Sequence, residues 1–145
     1  MTEIIYSMPT PTDYLALVAQ TGWELPTHEM AQTALSASLC GVIAKENDET
    51  IGMVRAVGDG VMKVYIQDMI VTSSRRGAGL GRMLMTAILS RLSETCPRSC
   101  MIGLFAAEGR SEFYTRLGFH ARPDFGFGPG MHGTLSELAK SNCEA

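Results

Sequence analysis

A glycine-rich stretch between a predicted strand and a predicted helix most strongly limits what this chain can fold into. Residues 71–82 read VTSSRRGAGLGR, and the three glycines occupy alternate positions: Gly77, Gly79 and Gly81. Glycines let the backbone turn tightly with several N–H groups on one side, and a helix N-terminus adds unpaired donors. Mobile positive charge comes from three arginines: Arg75, Arg76 and Arg82. These features predict a loop that binds a phosphate or pyrophosphate.

Two well-known phosphate-binding loops do not fit this spacing. A P-loop ends in Gly-Lys-Ser/Thr, whereas Gly81 is followed by Arg82 and Met83. A dinucleotide fingerprint needs GxGxxG, but Leu84 stands where the third glycine would be. The preceding strand also follows a meander and does not open a βαβ unit. The loop is therefore predicted to bind another kind of phosphate ligand.

The hydrophobic pattern predicts a single α+β domain over residues 1–145. Strands are predicted at 3–8, 40–46, 50–58, 62–72 and 99–107, with a last strand or two in the Gly/Pro-rich tail. Helices are predicted at 12–21, from Thr27 to about 39, from the glycine loop to Pro97, and at 109–117. Threonines would cap the first two helices, an apolar stripe at a spacing of three and four residues runs along the third, and Gly118 would end the fourth. The unbroken apolar run at 99–107 is typical of a strand covered on both faces. Residues 135–145 are predicted to fray.

Composition and charge narrow the functional classes. The net charge of −3 argues against a protein that binds nucleic acid or an anionic membrane by charge alone. No apolar run approaches the roughly 18–20 residues of a membrane span, and the start carries an acid where a signal peptide is basic. The expected compartment is therefore the cytoplasm. Scattered histidines predict no metal site, and the cysteines are expected to be reduced thiols: Cys40, Cys96, Cys100 and Cys143.

Two motifs carry a family resemblance. Residues 76–81, RGAGLG, resemble the Arg/Gln-x-x-Gly-x-Gly/Ala signature of the GNAT superfamily of acetyl-CoA-dependent N-acetyltransferases. Residues 113–119, FYTRLGF, look like the family's FYxxLGF ending. Further segments are similar to small bacterial members: TGW at 21–23, GMVRAVGDG at 52–60 and GPGM at 128–131. The chain departs from the family in having Ser73 where proline is usual, and Glu108-Gly109 where many members have an asparagine.

The resemblance implies a fold and a co-substrate site. The fold would be a mixed, mostly antiparallel twisted sheet, splayed at its centre, with about four helices around it. Acetyl-CoA would fill the gap between the strand at 66–71 and the strand at 99–106, and an N–H near Ile70 would stabilise the oxyanion. No metal is implied. The residues expected to bind acetyl-CoA are Met69, Ile70, Val71, Arg76, Gly77, Ala78, Gly79, Leu80, Gly81 and Arg82.

The resemblance also suggests catalytic residues. Tyr114 is at the family's position for the acid that protonates the leaving thiolate, and a phenol is protonated at neutral pH. The alternative, less favoured, is a core aromatic whose hydroxyl donates to a main-chain carbonyl. Asp68, on the active strand, could draw a proton from the amine through water, or be a solvated strand residue. Strand alternation predicts Gln67 and Met69 on one face, and Asp68 and Ile70 on the other.

The acceptor pocket is predicted less specifically. Trp23 and Tyr14 lie in the early segment that usually walls this pocket, although a lone Trp is more often packed in the core. Asp59, with Glu24 and Glu29, could attract a cationic amine, or be an ordinary surface acid.

These residues predict an acyltransferase that moves an acetyl group to the primary amine of a small molecule by direct attack in a ternary complex. The alternatives are a lysine or N-terminal acetyltransferase of proteins, and a CoA-binding regulatory module without turnover. A homodimer is plausible for the family.

Overall fold

The structure, a computed structural model, describes residues 1–124 and 126–143, and the Cys143 side chain lies outside that part. The chain divides into two compact units, Met1–Leu104 and a second that begins at Phe105. Three cysteines are free thiols: Cys40, Cys96 and Cys100. Among the described residues, no helix is both long and apolar enough to cross a bilayer.

The first unit contains five strands and three helices. Its strands are β1 (Glu3–Ile5), β2 (Cys40–Glu46), β3 (Glu49–Gly58), β4 (Lys63–Val71) and β5 (Met101–Gly103), and its helices are α1 (Pro11–Val18), α2 (His28–Ser36) and α3 (Leu80–Thr95). As predicted, a threonine begins each early helix: Thr10 accepts from the Asp13 N–H, and Thr27 from the Met30 N–H. The strands form one sheet in the order β1-β2-β3-β4-β5, antiparallel except for the β4–β5 pair.

Helices cover both faces of this sheet. On one face, α1 and α2 pack a core against three strands, with members Tyr14, Leu17, Val18, Ala31, Leu35, Ile43, Met53 and Ile70. On the other face lies α3, whose predicted apolar stripe is buried. A Cβ placed on Gly52 would lie 3.0 Å from Leu84 Cδ1, so α3 packs closely on β3 there and a side chain at position 52 would require Leu84 to shift. The α+β class, with a mixed and mostly antiparallel sheet, is confirmed.

A β-bulge in β4 reverses the alternation of its side chains. Met53 pairs with Ile70 and Arg55 with Gln67. Between these pairs β4 has two residues, Asp68 and Met69, whereas β3 has one, which is a β-bulge. Ile66 pairs with Ala56 on the α3 face, whereas Ile70 packs in the core of the α1/α2 face. The prediction that Asp68 and Ile70 share a face is confirmed. The prediction that Gln67 shares the other face with Met69 is wrong, because the bulge puts Gln67 on the α1/α2 face with Asp68 and Ile70.

Strand β5 is shorter than the apolar run predicted. Only residues 101–103 are strand, paired with Lys63, Val64 and Tyr65, and Met101 is exposed. The expectation of a long strand covered on both faces is wrong, because an apolar run shows burial tendency but not pairing. The short pairing leaves β4 without a strand on that side from Ile66 onward, within the part of the chain that is described.

In its described part, the second unit contains the helices α4 (Ser111–Thr115) and α5 (Leu135–Cys143). Gly118, predicted to end the first, has a φ of +99°, and the Phe119 N–H donates to the Tyr114 carbonyl. The described part of the tail contains no strand, so the prediction of a last strand or two is wrong there. Residues 135–143 are helical, and whether this end frays stays a prediction; Glu144 and Ala145 lie outside the described residues.

Candidate active site

The free edge of β4 exposes main-chain groups. The Thr72 N–H donates to the Ile51 carbonyl at 2.8 Å, and Ile70 pairs with Met53 in the same register. Because amide direction alternates along an antiparallel strand, the N–H of Ile70 faces β3, whereas those of Met69 and Val71 face away from it. The amide near Ile70 that can face a ligand is therefore that of Met69.

The Val71 carbonyl on this edge accepts a hydrogen bond. The donor is Nε of Arg76, at 3.2 Å. The first arginine of the RGAGLG motif thus folds back onto the strand end, and its guanidinium lies where the strand edge meets the loop. This contact shows that a donor outside the sheet can reach the outward carbonyl.

The loop after β4 leads into α3 through two left-handed glycines. A short 3₁₀ turn spans Ser73–Arg75, and φ is +80° at Gly77 and +82° at Gly79. Side chains rarely adopt this conformation, which explains the glycines. A Cβ at either position would meet no atom within 4 Å, so the space above the loop is open.

The first turn of α3 offers unpaired backbone donors. The first helical hydrogen bond runs from the Met83 N–H to the Gly79 carbonyl, and no side chain caps the helix. The N–H groups of Leu80, Gly81 and Arg82 thus have no intrahelical acceptor, and they carry the positive end of the helix dipole. Open space, unpaired donors and nearby arginines together fit a diphosphate.

Gln20, which no sequence pattern singled out, holds the start of this loop. Its Oε1 accepts from the Thr72 hydroxyl at 2.9 Å and from the Ser73 N–H at 3.0 Å. A proline at position 73, usual in the family, has no N–H to donate, so this bond depends on the departure at Ser73. The loop is also anchored by an ion pair between Arg75 and Glu46.

Asp68 sits at the bulge with two donors on one oxygen. Its Oδ2 accepts from Arg55 Nε at 2.6 Å and from the Tyr14 hydroxyl at 3.0 Å. The side chains of Asp68 and Arg55 are only 11% and 15% exposed, so the interpretation of Asp68 as a solvated strand residue is wrong. Burial, and next the negative charge of Asp68, raise the pKa of Tyr14 to about 12. Arg55 was not singled out from the sequence as a site residue. Its signal was a single charge within the apolar run of β3, which indicates a buried partner of opposite charge.

The two residues proposed for the acceptor pocket differ in position. Trp23 is 47% exposed and follows Gln20 closely, so it lies near the loop end of β4. Asp59 lies at the opposite end of β4, where Oδ1 accepts the N–H groups of Val61, Met62 and Lys63. These bonds lower the pKa of Asp59. Asp59 thus closes the β3–β4 turn, and its place in an acceptor pocket stays a prediction.

Tyr114 belongs to the second unit, on α4. Its ring makes edge contacts with Phe113 and Phe119, with centroids 5.0 and 6.1 Å apart. Burial raises the pKa of its hydroxyl, which therefore stays protonated at neutral pH. Within the described residues no carbonyl accepts a hydrogen bond from that hydroxyl. The structure therefore does not show the carbonyl contact expected if Tyr114 were only a core aromatic.

Comparison with known proteins identifies the family. The acetyltransferase (GNAT) domain model matches residues 38–121, more than half of the chain. The chain belongs to the GNAT acetyltransferase family. A probable acetyltransferase of unknown function from Staphylococcus aureus is 29% identical, with 93% of this chain and all of that chain covered and a TM-score of 0.84. The predicted family and the acyltransferase class are thereby confirmed.

Two curated relatives carry more specific names. One, named histone acetyltransferase, from Glycine max, is 29% identical over 77% of this chain and 52% of that protein. Another, named serotonin N-acetyltransferase, from Oryza sativa subsp. japonica, is 35% identical over 51% of this chain and 36% of that protein. The chain thus spans at most about half the length of either relative. Their names differ in acceptor, so family membership leaves the acceptor of this GNAT domain open.

Proposed function

We propose that this GNAT domain transfers the acetyl group of acetyl-CoA to the primary amine of a small molecule, by direct attack in a ternary complex. The observation that carries the proposal is the continuity of the free β4 edge with the glycine loop. Main-chain groups of Met69 and Val71 face outward, and the open amides of residues 80–82 follow directly. An extended ligand with amides at one end and a diphosphate at the other fits this series of donors and acceptors.

The binding residues follow from this arrangement. The outward groups of Met69 and Val71 would pair with the pantetheine amides, and Arg76 would release the Val71 carbonyl to do so. The amides at the start of α3, with Arg82, would hold the diphosphate.

The chemistry needs two further groups. Acetyl-CoA supplies the acetyl group as a thioester, and an amine attacks its carbonyl once it has lost a proton. The Met69 N–H would stabilise the negative charge that develops on the carbonyl oxygen, an effect often worth about 3–4 kcal/mol. The Tyr114 hydroxyl would protonate the departing thiolate.

Charge distribution supports a cationic acceptor. No lysine or arginine occurs before Lys45, whereas the α1–α2 region carries Glu24 and Glu29. Three arginines instead lie in the proposed diphosphate site, Arg75, Arg76 and Arg82. The segment that follows Gln20 would therefore attract an ammonium group and not repel it, and the exposed Trp23 would contact an apolar part of the acceptor.

A protein acceptor is the second candidate, favoured by the relative named histone acetyltransferase. The deciding experiment is an acetyl-CoA-dependent thiol-release assay with polyamines, arylalkylamines, amino acids, aminoglycosides and lysine-containing peptides. Turnover with a small amine is expected, and acetyl-CoA without amine is the control. Turnover with peptides alone would move the assignment to proteins. Binding of CoA in calorimetry without turnover on any amine would indicate a regulatory module.

A further inference from the structure

We infer that Asp68, together with Arg55 and Tyr14, is a positioning set that fixes the bulge in β4, and that Asp68 is not the general base. The inference rests on the proposed function for its kinetic readout, and it concerns how the Met69 N–H is aimed. The three residues come from different elements: Tyr14 from α1, Arg55 from β3 and Asp68 from β4.

The bulge requires an unfavourable backbone conformation at Asp68. Its φ is +51°, in the left-handed region that residues other than glycine adopt rarely. Such a conformation persists only where surrounding contacts determine it. The carboxylate supplies those contacts, since Arg55 Nε and the Tyr14 hydroxyl both donate to Oδ2.

The set is anchored further on the α2 side. Arg55 Nη1 donates to the Ser38 hydroxyl at 3.1 Å, and Ser38 donates to the Ala34 carbonyl at 2.8 Å. The guanidinium therefore contacts Asp68 and Ser38 at the same time through two of its nitrogens, which the single ammonium group of lysine cannot reproduce. With both charges almost buried, loss of either partner leaves the other charge uncompensated, so the pair resists separation.

The bulge decides which amide faces the free edge. One extra residue in β4 turns Ile70 to the α1/α2 core and leaves the N–H of Met69 directed away from β3. In a strand without the bulge, the register beyond residue 67 would shift by one and reverse these directions. The contacts of Asp68 thus act on the reaction through the direction of the neighbouring amide.

The same contacts assign Asp68 to positioning. Both hydrogen-bond donors converge on Oδ2, Arg55 from β3 and Tyr14 from α1. A general base needs a lone pair directed at the amine or at a bridging water. The oxygen that these contacts hold is directed instead toward β3 and α1.

The test is a double-mutant cycle with Asp68→Asn and Arg55→Met, in which kcat and the KM for acetyl-CoA are measured. We expect each single variant to lower kcat about ten- to a hundredfold, because misplacement of a catalytic group by about 1 Å has that order of effect. The double variant should be no slower than the slower single one. Arg55→Lys should recover little, because it cannot contact Asp68 and Ser38 together.

Asp13→Asn is the matched control. Asp13 also joins α1 to β3, through a 2.8 Å hydrogen bond from Thr50, but it does not contact the bulge. It should leave kcat unchanged. If Arg55→Met keeps full kcat while Asp68→Asn loses it, Asp68 is a base and the inference is overturned. Unchanged kcat in both would overturn it as well.

A second readout does not depend on turnover. Amide hydrogen exchange at residues 67–71 should accelerate in Asp68→Asn and in Tyr14→Phe, the mildest variant of the set, and not in Asp13→Asn. Equal exchange in all variants would overturn the inference even where Arg55→Met fails to fold. Failure of the proposed function looks different: the wild type would turn over no amine, while the exchange result would still be obtained.

Discussion

The side-chain oxygen of Gln20 lies 3.0 Å from the backbone nitrogen of Ser73, the second residue after β4. This contact ties the residues just after α1 to the loop that leads into α3. Gln20 therefore links the segment that follows it, where the acceptor is proposed to bind, to the loop proposed to bind the diphosphate. A change at Gln20 should reach both sites without touching either ligand.

Gln20→Met removes the acceptor for Thr72 and Ser73 while it preserves side-chain length. Since a hydrogen bond contributes about 1 kcal/mol net, amide exchange at Ser73 should become about fivefold faster. Affinity for CoA should fall by a small factor of about two to five on the same scale. Gln32→Met, at an exposed position on α2, is the control and should change neither quantity.

Gly79→Ala tests the proposed diphosphate site at the start of α3. An alanine at φ +82° costs about 1–2 kcal/mol of stability and projects a Cβ into the open space at the start of α3. The matched control is Gly60→Ala, at φ +72° in the β3–β4 turn at the far end of β4. Both variants should lower the melting temperature. Only Gly79→Ala should weaken CoA binding in calorimetry, by about tenfold, as for a lost hydrogen bond to a charged group. Equal CoA affinities for the two variants would contradict a diphosphate site at this loop.

Arg82→Gln tests the charge of the same site. A guanidinium near a diphosphate contributes a charge-assisted interaction, so CoA affinity should fall about tenfold at low salt. The difference from wild type should shrink in high salt, because mobile ions screen exposed charges. Arg91→Gln is the control, since Arg91 lies on the same helix and pairs with Glu94. A loss that is equal for both variants, or independent of salt, would argue against a direct contact of Arg82 with phosphate.

Local signals account for much of what the sequence predicted correctly. The apolar spacing of α3 and the threonine caps of α1 and α2 act over one or two helical turns, so they can be read directly. The tail also contains a local signal of this kind, which predicts a helix. Thr134 and Glu137 form a capping box, with each side chain accepting from the other's backbone N–H. This box begins α5, in the segment that was predicted only to fray.

The bulge in β4 could not be predicted in that way. It depends on partners of Asp68 that lie 13 and 54 residues away along the chain. A period of two, extended through residues 67–70, gives the wrong face for Met69 because no local pattern marks the extra residue. Likewise, the Asp-Gly pair at residues 59–60 predicts a turn, but the three backbone N–H groups that Asp59 accepts become evident only in the structure.

Tyr14→Phe should change the alkaline stability of the protein. The pKa of Tyr14 is raised from 10.0 to about 12 in the folded state, so the hydroxyl stabilises the fold below pH 10. That contribution is lost as the pH rises from 10 to 12, because the unfolded chain releases the proton first. Urea unfolding across this range should show a smaller decline for Tyr14→Phe than for the wild type. Tyr6→Phe, at an exposed position, should decline as the wild type does.

Tyr114→Phe tests the proposed acid. Phenylalanine keeps the edge contacts with Phe113 and Phe119, so the second unit should stay folded. Loss of a general acid typically lowers kcat about a hundredfold or more, and CoA affinity should not change. Burial raises the pKa of Tyr114, so in the wild type the acid should remain active through neutral pH and fail only on the alkaline side. That alkaline loss should be absent from the kcat profile of Tyr114→Phe. An equal fall in kcat and in CoA affinity would instead assign Tyr114 to packing.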